Sequence, residues 1–512
     1  MQSSNLPKLS FGSSTFATLR FCNELYVDKT ELIFRLARLD RKALFVRPRR
    51  FGKSLLVSTL KTLFKHGLRD FTGLAIEKLW TDTTYDVVHL DFSEVKEFSD
   101  AQAFARKFSE HIVLNFKDAG FQYSSIANAV CDLTWGLKTR PAKSLVVLVD
   151  EWDAPLTATM DRPELHKEIC GIMRDFFEAL NTADKALRFL FVTGITTCDS
   201  KAVLSAVENL TDISQDPEFA HLVGFTKEEI ADTFAQHIES TGAILGLTEQ
   251  EVIANLMRYY GGYRFSPTQL QEVACPWAVL YFFTVPQAGF ENYWFGTAGN
   301  EALQSILESA GLDAPESFAP SLTGASITNA EPTDARQRLL FEAGYLTIRS
   351  RTSAGKVVLG YPNQEVEMSM ARLYGSELLG GRRWYMEGVP FVAECLAQGD
   401  ATNVIQQFNG AFAMMDAEHF PATNATTVLK YLQVLLMGMA LLPDVAVRQT
   451  PEGHFLDVNV GTVRWVFEVR MLENEVDADS LLSAVDDAND HRDNPIRVAM
   501  VFDSHRRQFE SR

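Results

Sequence analysis

"FVRPRRFGKSLL", residues 45–56, decides the fold. Gly52, Lys53 and Ser54 run directly into KSLLVSTLKTLF (53–64), an apolar stretch with helical spacing, and KALFV (42–46) before them reads as a buried strand. A strand, a loop ending in Gly-Lys-Ser and a helix are the context of a phosphate-binding loop. In such a loop, backbone N–H groups and the helix N-terminus face phosphate oxygens. The lysine adds positive charge near the β- and γ-phosphates, and the hydroxyl after it holds Mg²⁺. The entrance departs from the usual pattern, which has glycine where this chain has Arg47, followed by Pro48. Pro48 favours extended backbone at Arg47, so the chain can still leave the strand in the required direction. Taken alone, the stretch also reads as an ordinary basic helix N-terminus.

A second element about a hundred residues on changes that balance. SLVVLVDEWDAP (144–155) is an apolar strand ending in Asp150 and Glu151. If this strand lies next to the loop, Asp150 can hold Mg²⁺ through water, and Glu151 can orient or deprotonate an attacking water. The alternative is a strand that simply ends in solvated acids. LRFLFVTG (187–194) is a third continuous apolar run, and Thr193 at its end is either a polar sensor of the γ-phosphate or a strand-terminal threonine before a turn glycine.

These runs and DVVHLDFS (86–93) alternate with helical patterns at 100–118 and 163–181. Continuous apolar strands separated by helices point to an α/β domain with a parallel sheet covered on both faces. From about 226 the pattern turns helical. It opens with Thr226 and Glu229 in capping-box spacing. Residues 311–335 are rich in Ala, Ser, Pro and Thr and read as an irregular connection. GYLTIRSR and KVVLGYP then read as two strands, helices dominate 363–442, and the last seventy residues read strand, strand, helix, strand.

The 512 residues carry a formal net charge of −18, which argues against a protein that coats nucleic acid through its overall charge. The six cysteines are scattered with no C-x-x-C pair, which fits a reducing compartment and makes a disulfide framework or zinc site an unfavoured reading. No run approaches 18 apolar residues and MQSSNLPKLSFGSS lacks a signal-peptide pattern, so no membrane span and a cytoplasmic location are expected.

The chain resembles bacterial proteins that join an AAA-ATPase-like domain to a C-terminal PD-(D/E)XK nuclease-like domain. The resemblance rests on LYVDKTELI (25–33), RPRRFGKSLL (47–56), LVDEWDAPL (148–156), TGIT…NLTDIS (193–214), LVGFTKEEI (222–230), YYGGYRFSP (259–267), LLFEAGYLTI (339–348) and LGYPNQEV (359–366), in that order. It implies a P-loop ATPase fold with a helical lid, and a loop in which Arg47, Pro48, Arg49, Arg50, Phe51, Gly52, Lys53 and Ser54 form the nucleotide-binding run. It also implies that Tyr26 and Asp28 lie near the nucleotide; their alternative is a capped helix start. Relatives usually carry an arginine where this chain has Thr197, a departure that bears on how hydrolysis is triggered.

The same resemblance implies a metal-dependent site in the last domain. HFLDVNVGTVRWVFEVRM offers Asp457, then Glu468 and Arg470, with Arg470 where the family has lysine. Side chains two apart on a strand share a face, so Glu468 and Arg470 point the same way. Arginine stays protonated and cannot act as a general base. Two readings therefore stand: cleavage of DNA or RNA by a site using Asp457 and Glu468 as Mg²⁺ ligands, or an inactive nuclease fold that binds a protein or nucleic acid. The resulting division is an ATPase-like domain over 1–225, a helical lid over 226–310, a linker over 311–385 and the nuclease-like domain over 386–512. The cofactors expected are ATP and Mg²⁺.

Overall fold

The computed structural model describes residues 6–12, 15–39, 42–182, 185–269, 271–295, 322–325, 334–353, 357–451, 453–472 and 495–511. The chain forms two compact units. The first runs to Trp294 and resumes over Leu322–Asn363, and the second takes up at Gln364. The described helices of the stretch expected to form a lid, and most of the expected linker, thus belong to the same unit as the parallel sheet. The second unit begins about twenty residues before the boundary expected at 386. The lid expected beyond residue 295 lies outside the described residues.

The first unit is built on β1 (Lys42–Val46), β2 (Asp86–Asp91), β3 (Leu145–Asp150), β4 (Leu187–Gly194) and β5 (Leu210–Asp212). They lie in the order β2-β3-β4-β1-β5 with every pairing parallel. β1 and β3 are buried along their whole length, which is why both read as unbroken apolar runs. One expectation changes here: β3 is not beside β1, because β4 stands between them. All strands still end at the same edge, so the residues after β1, β3 and β4 meet there, where open parallel sheets bind their ligands. β5 pairs with β1 over only three residues.

One face of the sheet carries the helices Ala101–Lys117 and Pro163–Asn181. Phe92, Phe104, Phe108, Phe116, Phe176 and Phe177 form an aromatic cluster between them and the strands. The helices Lys227–Thr233, Ala235–Leu245, Glu249–Tyr260 and Pro276–Thr284 follow the sheet. The capping box at the start of the first is formed: Glu229 N–H donates to Thr226 Oγ1 at 3.2 Å and Thr226 N–H to Glu229 Oε2 at 2.8 Å. A small antiparallel sheet of β6 (Leu322–Ala325), β7 (Thr347–Arg351) and β8 (Val357–Gly360) completes the unit, with β8 central. β6 falls inside the stretch expected to be irregular.

The second unit has helices Gln364–Leu378, Val392–Gln398, Ala401–Met414 and Ala425–Gly438 and a five-stranded sheet. β9 (Asp444–Thr450), β10 (Gly453–Val460) and β11 (Val463–Met471) are antiparallel. β12 (Ile496–Asp503) is parallel to β11, and β13 (Gln508–Ser511) is antiparallel to β12. Leu456, Val458, Trp465, Phe467 and Val469 form its buried face. The helix expected between β11 and β12 lies outside the described residues. Among the described residues, no helix is long and apolar enough to cross a membrane.

Candidate nucleotide site

The loop after β1 is shaped by two left-handed residues, Arg50 at φ 68° and Gly52 at φ 96°. Gly52 immediately precedes the helix Lys53–His66, and a methyl group placed on it would meet no protein atom within 4 Å. In this conformation a side chain costs about 1–2 kcal/mol, which glycine avoids. Phosphate-binding loops usually owe their shape to several glycines. Here side chains of the same unit hold the loop from outside. The Phe51 ring is edge-on to Tyr263 and Phe265, with centroids 4.8 and 5.5 Å away. The Arg50 guanidinium lies 3.7 Å from the Trp277 ring centroid. Trp294 Nε1–H donates to Arg49 O at 3.0 Å, and the Cys275 thiol donates to Arg50 O at 3.8 Å.

Arg47 is turned away from the loop mouth. Its guanidinium is sandwiched between the Phe45 and Phe265 rings and donates to the carbonyls of Val46, Ser214 and Phe219. Burial pulls its pKa down to about 9. Its charged end is therefore committed to packing in the protein interior. The main chain at Arg47 and Pro48 does enter the site: Lys53 Nζ donates to Arg47 O at 3.0 Å and to Pro48 O at 3.1 Å. Lys53 is itself buried, with its ammonium folded over the loop.

The acids gather at the same strand edge. Asp150 is buried at the end of β3, with the Ser54 hydroxyl close enough to act on its titration, and it accepts from Glu151 N–H at 3.0 Å. Burial raises its pKa to about 6 despite the nearby Ser54 hydroxyl and Lys53 charge, and the neighbouring Glu151 and Asp91 add to the rise. Asp91 ends β2 directly opposite Asp150. Glu151 is in the left-handed region at φ 51°, a conformation found at functional turns because surrounding structure must enforce it.

Sequence reasoning missed Asp153. It is fully buried and accepts from Thr196 N–H at 2.8 Å and Ile195 N–H at 3.1 Å, so it organises the loop after β4. Burial, then the charge of Glu151, raises its pKa to about 6. The signal available was a third acid within DEWD. Glu342 was also missed: it accepts from Thr196 Oγ1 and Thr197 N–H, both at 2.8 Å, and from Thr197 Oγ1 at 2.5 Å. Thr197 is thus a hydrogen-bond donor to a buried carboxylate.

Three other expectations resolve into packing. Thr193 is buried and its hydroxyl donates to Phe45 O at 2.6 Å, across the β1–β4 pair, so that hydrogen is not directed at the loop. The Tyr26 ring packs edge-on against Phe16, with centroids 5.2 Å apart, and burial raises the pKa of its hydroxyl. Asp28 accepts from Thr30 N–H and Oγ1 and from Ala75 N–H, which is the capped helix start weighed above.

In the second unit, Asp457, Glu468 and Arg470 share the half-exposed face of β10 and β11. Asp457 lies opposite Val466 and Glu468 opposite Phe455, so the two acids are diagonal neighbours. Each is paired with an arginine: Glu468 Oε1 with Arg470 at 2.7 and 2.9 Å, and Asp457 with Arg448 at 3.0 and 3.3 Å.

Residues 10–204 match the family model of a predicted AAA-ATPase. The "Uncharacterized protein in vnfD 5′region" of Azotobacter chroococcum mcd 1 is 30% identical over 371 residues, covering 71% of this chain and 69% of that one. Among solved structures, the Walker-type ATPase PABY2304 of Pyrococcus abyssi aligns with a TM-score of 0.36 at 12% identity, over 72% of this chain and 99% of that one.

Proposed function

This chain belongs to the AAA-ATPase-like family, and we infer that its first unit binds ATP with Mg²⁺ at the strand edge bounded by Gly52–Ser54 and Asp150 and hydrolyses it. The observation that carries this reading is that the Lys53 ammonium and the Ser54 hydroxyl, at the start of the helix after β1, lie near enough to the Asp150 carboxylate at the end of β3 to act on its titration. A buried carboxylate with a raised pKa, crowded by Glu151 and Asp91, is a group that gains from a cation. Ser54 and Asp150 are the residues that would hold Mg²⁺, directly or through water. When bound, the ion would offset the negative charge of the phosphates.

The protein's own groups then have distinct tasks. Gly52 and the first turn of the following helix offer N–H groups to the phosphates, and Lys53 leaves the carbonyls of Arg47 and Pro48 to meet the β- and γ-oxygens. Glu151 orients the attacking water and takes its proton as the water oxygen bonds to the γ-phosphorus and the bond to ADP breaks. Asp153 and Glu342 hold the loop after β4 in position. Replacing Lys53 with alanine removes a charge-assisted contact of about 1.5–3 kcal/mol, so ATP affinity falls roughly 10- to 150-fold while the melting profile is retained. Equal ATP affinity in the folded variant would defeat the reading.

For the second unit we propose that nucleotide state controls a nuclease-like fold that binds a protein or nucleic acid without cutting. The supporting observation is that arginines engage both Asp457 oxygens and Glu468 Oε1, so they compete with a metal ion for these acids. The six thiols are all free, in keeping with a cytoplasmic setting. Incubation with DNA and RNA in Mg²⁺ or Mn²⁺ is expected to give no cleavage beyond that of Glu468→Ala. Metal-dependent cleavage that disappears in Glu468→Ala would establish the catalytic alternative instead.

A further inference from the structure

His166, Cys170 and Asp199 converge outside the nucleotide site. His166 and Cys170 are four residues apart on the helix Pro163–Asn181, hence on one face, and Asp199 comes from the loop after β4. One ligand atom from each, an imidazole nitrogen, the sulfur and a carboxylate oxygen, lie within 4.8 Å of one another. Around a tetrahedral zinc ion the corresponding separations are about 3.3–3.8 Å, so closing the set takes a side-chain movement of about 1 Å. The His166 and Asp199 side chains are 19% and 35% exposed, which leaves an approach from solvent.

The His166 ring is held at both nitrogens. Nδ1 lies 3.0 Å from the buried Thr159 hydroxyl, which is also within reach of Leu156 O at 3.0 Å and Pro155 O at 3.2 Å. Nε2 lies 3.1 Å from Asp199 Oδ2. A polar partner at the second ring nitrogen is the outer-shell contact that orients metal-binding histidines, and here it leaves Nε2 facing the carboxylate. Asp199 also stands at the N-cap of the short helix Ser200–Val203 and makes no side-chain cap bond, although aspartate is among the residues most suited to that role. Its carboxylate faces the histidine instead.

We propose that His166 Nε2, Cys170 Sγ and Asp199 Oδ2 form a binding site for a zinc-class divalent metal ion, with the fourth position open to water. The third ligand is what distinguishes this from a simple histidine–carboxylate pair. A thiolate-imidazole-carboxylate set selects zinc and its neighbours over the Mg²⁺ of the nucleotide site. Without an ion, burial and the Asp199 charge push the Cys170 thiol up to about 11, so it is protonated and unreactive. Binding exchanges that proton for the metal, forming the sulfur–metal bond and releasing the proton to solvent. The ion would tie the segment after β3, the helix Pro163–Asn181 and the loop after β4 into one body.

The test is metal uptake by the purified full-length protein stripped with chelator. One equivalent of Zn²⁺ is expected to bind in competition with a chromophoric chelator. Co²⁺ in its place is expected to give tetrahedral ligand-field bands and a sulfur-to-cobalt charge-transfer band. The charge-transfer band should vanish in Cys170→Ser and persist in Cys198→Ser. Zn²⁺ affinity should fall at least tenfold in His166→Gln and Asp199→Asn, and about 10- to 100-fold in Thr159→Val. Lys53→Ala should take up the same equivalent, so the result does not depend on the ATP reading. Failure of the unmodified protein to bind Zn²⁺ would show that only a proton occupies the cluster and would overturn the proposal. A charge-transfer band that survives in Cys170→Ser would overturn it as well, because the thiolate would then lie elsewhere.

Discussion

Replacement of Gly52 by alanine separates the shape of the loop from its occupancy. Gly52 sits at φ 96°, where a side chain costs about 1–2 kcal/mol, and folding stability should fall by that amount. The strain is present in free and nucleotide-bound protein alike, so it cancels from the binding equilibrium. An added methyl group meets no protein atom within 4 Å. Any loss of affinity must therefore come from something that is not protein. If a phosphate packs against this backbone, the methyl group holds it off the neighbouring N–H groups. Losing one charge-assisted hydrogen bond of about 1.5–3 kcal/mol weakens ATP binding roughly 10- to 150-fold. Gly120 is the matched control, with φ 84° and an equally open Cβ position at a helix end distant in sequence. Calorimetric titration with Mg-ATP and urea unfolding should show similar destabilisation in both variants and a binding loss in Gly52→Ala alone. Affinity within twofold of the parent in a folded Gly52→Ala protein would refute the placement of phosphate at this loop.

Two further outcomes follow from the same site. Asp153 has a folded pKa of about 6 against an ordinary 3.8, so the folded chain holds its proton more tightly than the unfolded chain. The resulting cost grows as pH rises between those values and is complete above about 6, where it is on the order of 3 kcal/mol. Roughly half of it accrues between pH 5 and pH 7.5, so Asp153→Asn should gain about 1–2 kcal/mol relative to the parent across that interval in urea unfolding. A pH-independent difference would remove Asp153 as the titrating group. The Arg50–Trp277 stack should show a coupling of about 0.5–2 kcal/mol in a double-mutant cycle of Arg50→Ala and Trp277→Leu, read by unfolding. A coupling near zero would mean that the stack does not help to hold the loop.

The fold was legible where burial was uniform. β1, β3 and β4 are enclosed on both faces, and their sequences show it as unbroken apolar runs. β5 has three residues and β13 four, too few for a period to appear, and β9 carries Arg448 and Gln449 on a half-exposed edge strand. The order of strands was not legible, because adjacency of β1 and β4 depends on packing between segments almost 150 residues apart. In the candidate site, local pattern singled out Lys53, Ser54 and Asp150, which the fold brings to one strand edge. The direction of the Arg47 side chain could not be read from the loop itself. What decides its direction is the pair of rings on Phe45 and Phe265, the second of them far along the chain. Glu342 had no local signal at all, since its partners Thr196 and Thr197 lie in another element.

The grip of Tyr263, Phe265, Trp277 and Trp294 on residues 49–51 has an evolutionary corollary. A glycine-rich loop is self-sufficient and can be transplanted with its strand and helix. One clasped by distant aromatic rings cannot, and its arginines and phenylalanine are free to drift only in step with those rings. Substitution at either partner without the other would be purged, so the two stretches, more than two hundred residues apart, should change together among descendants of a common ancestor.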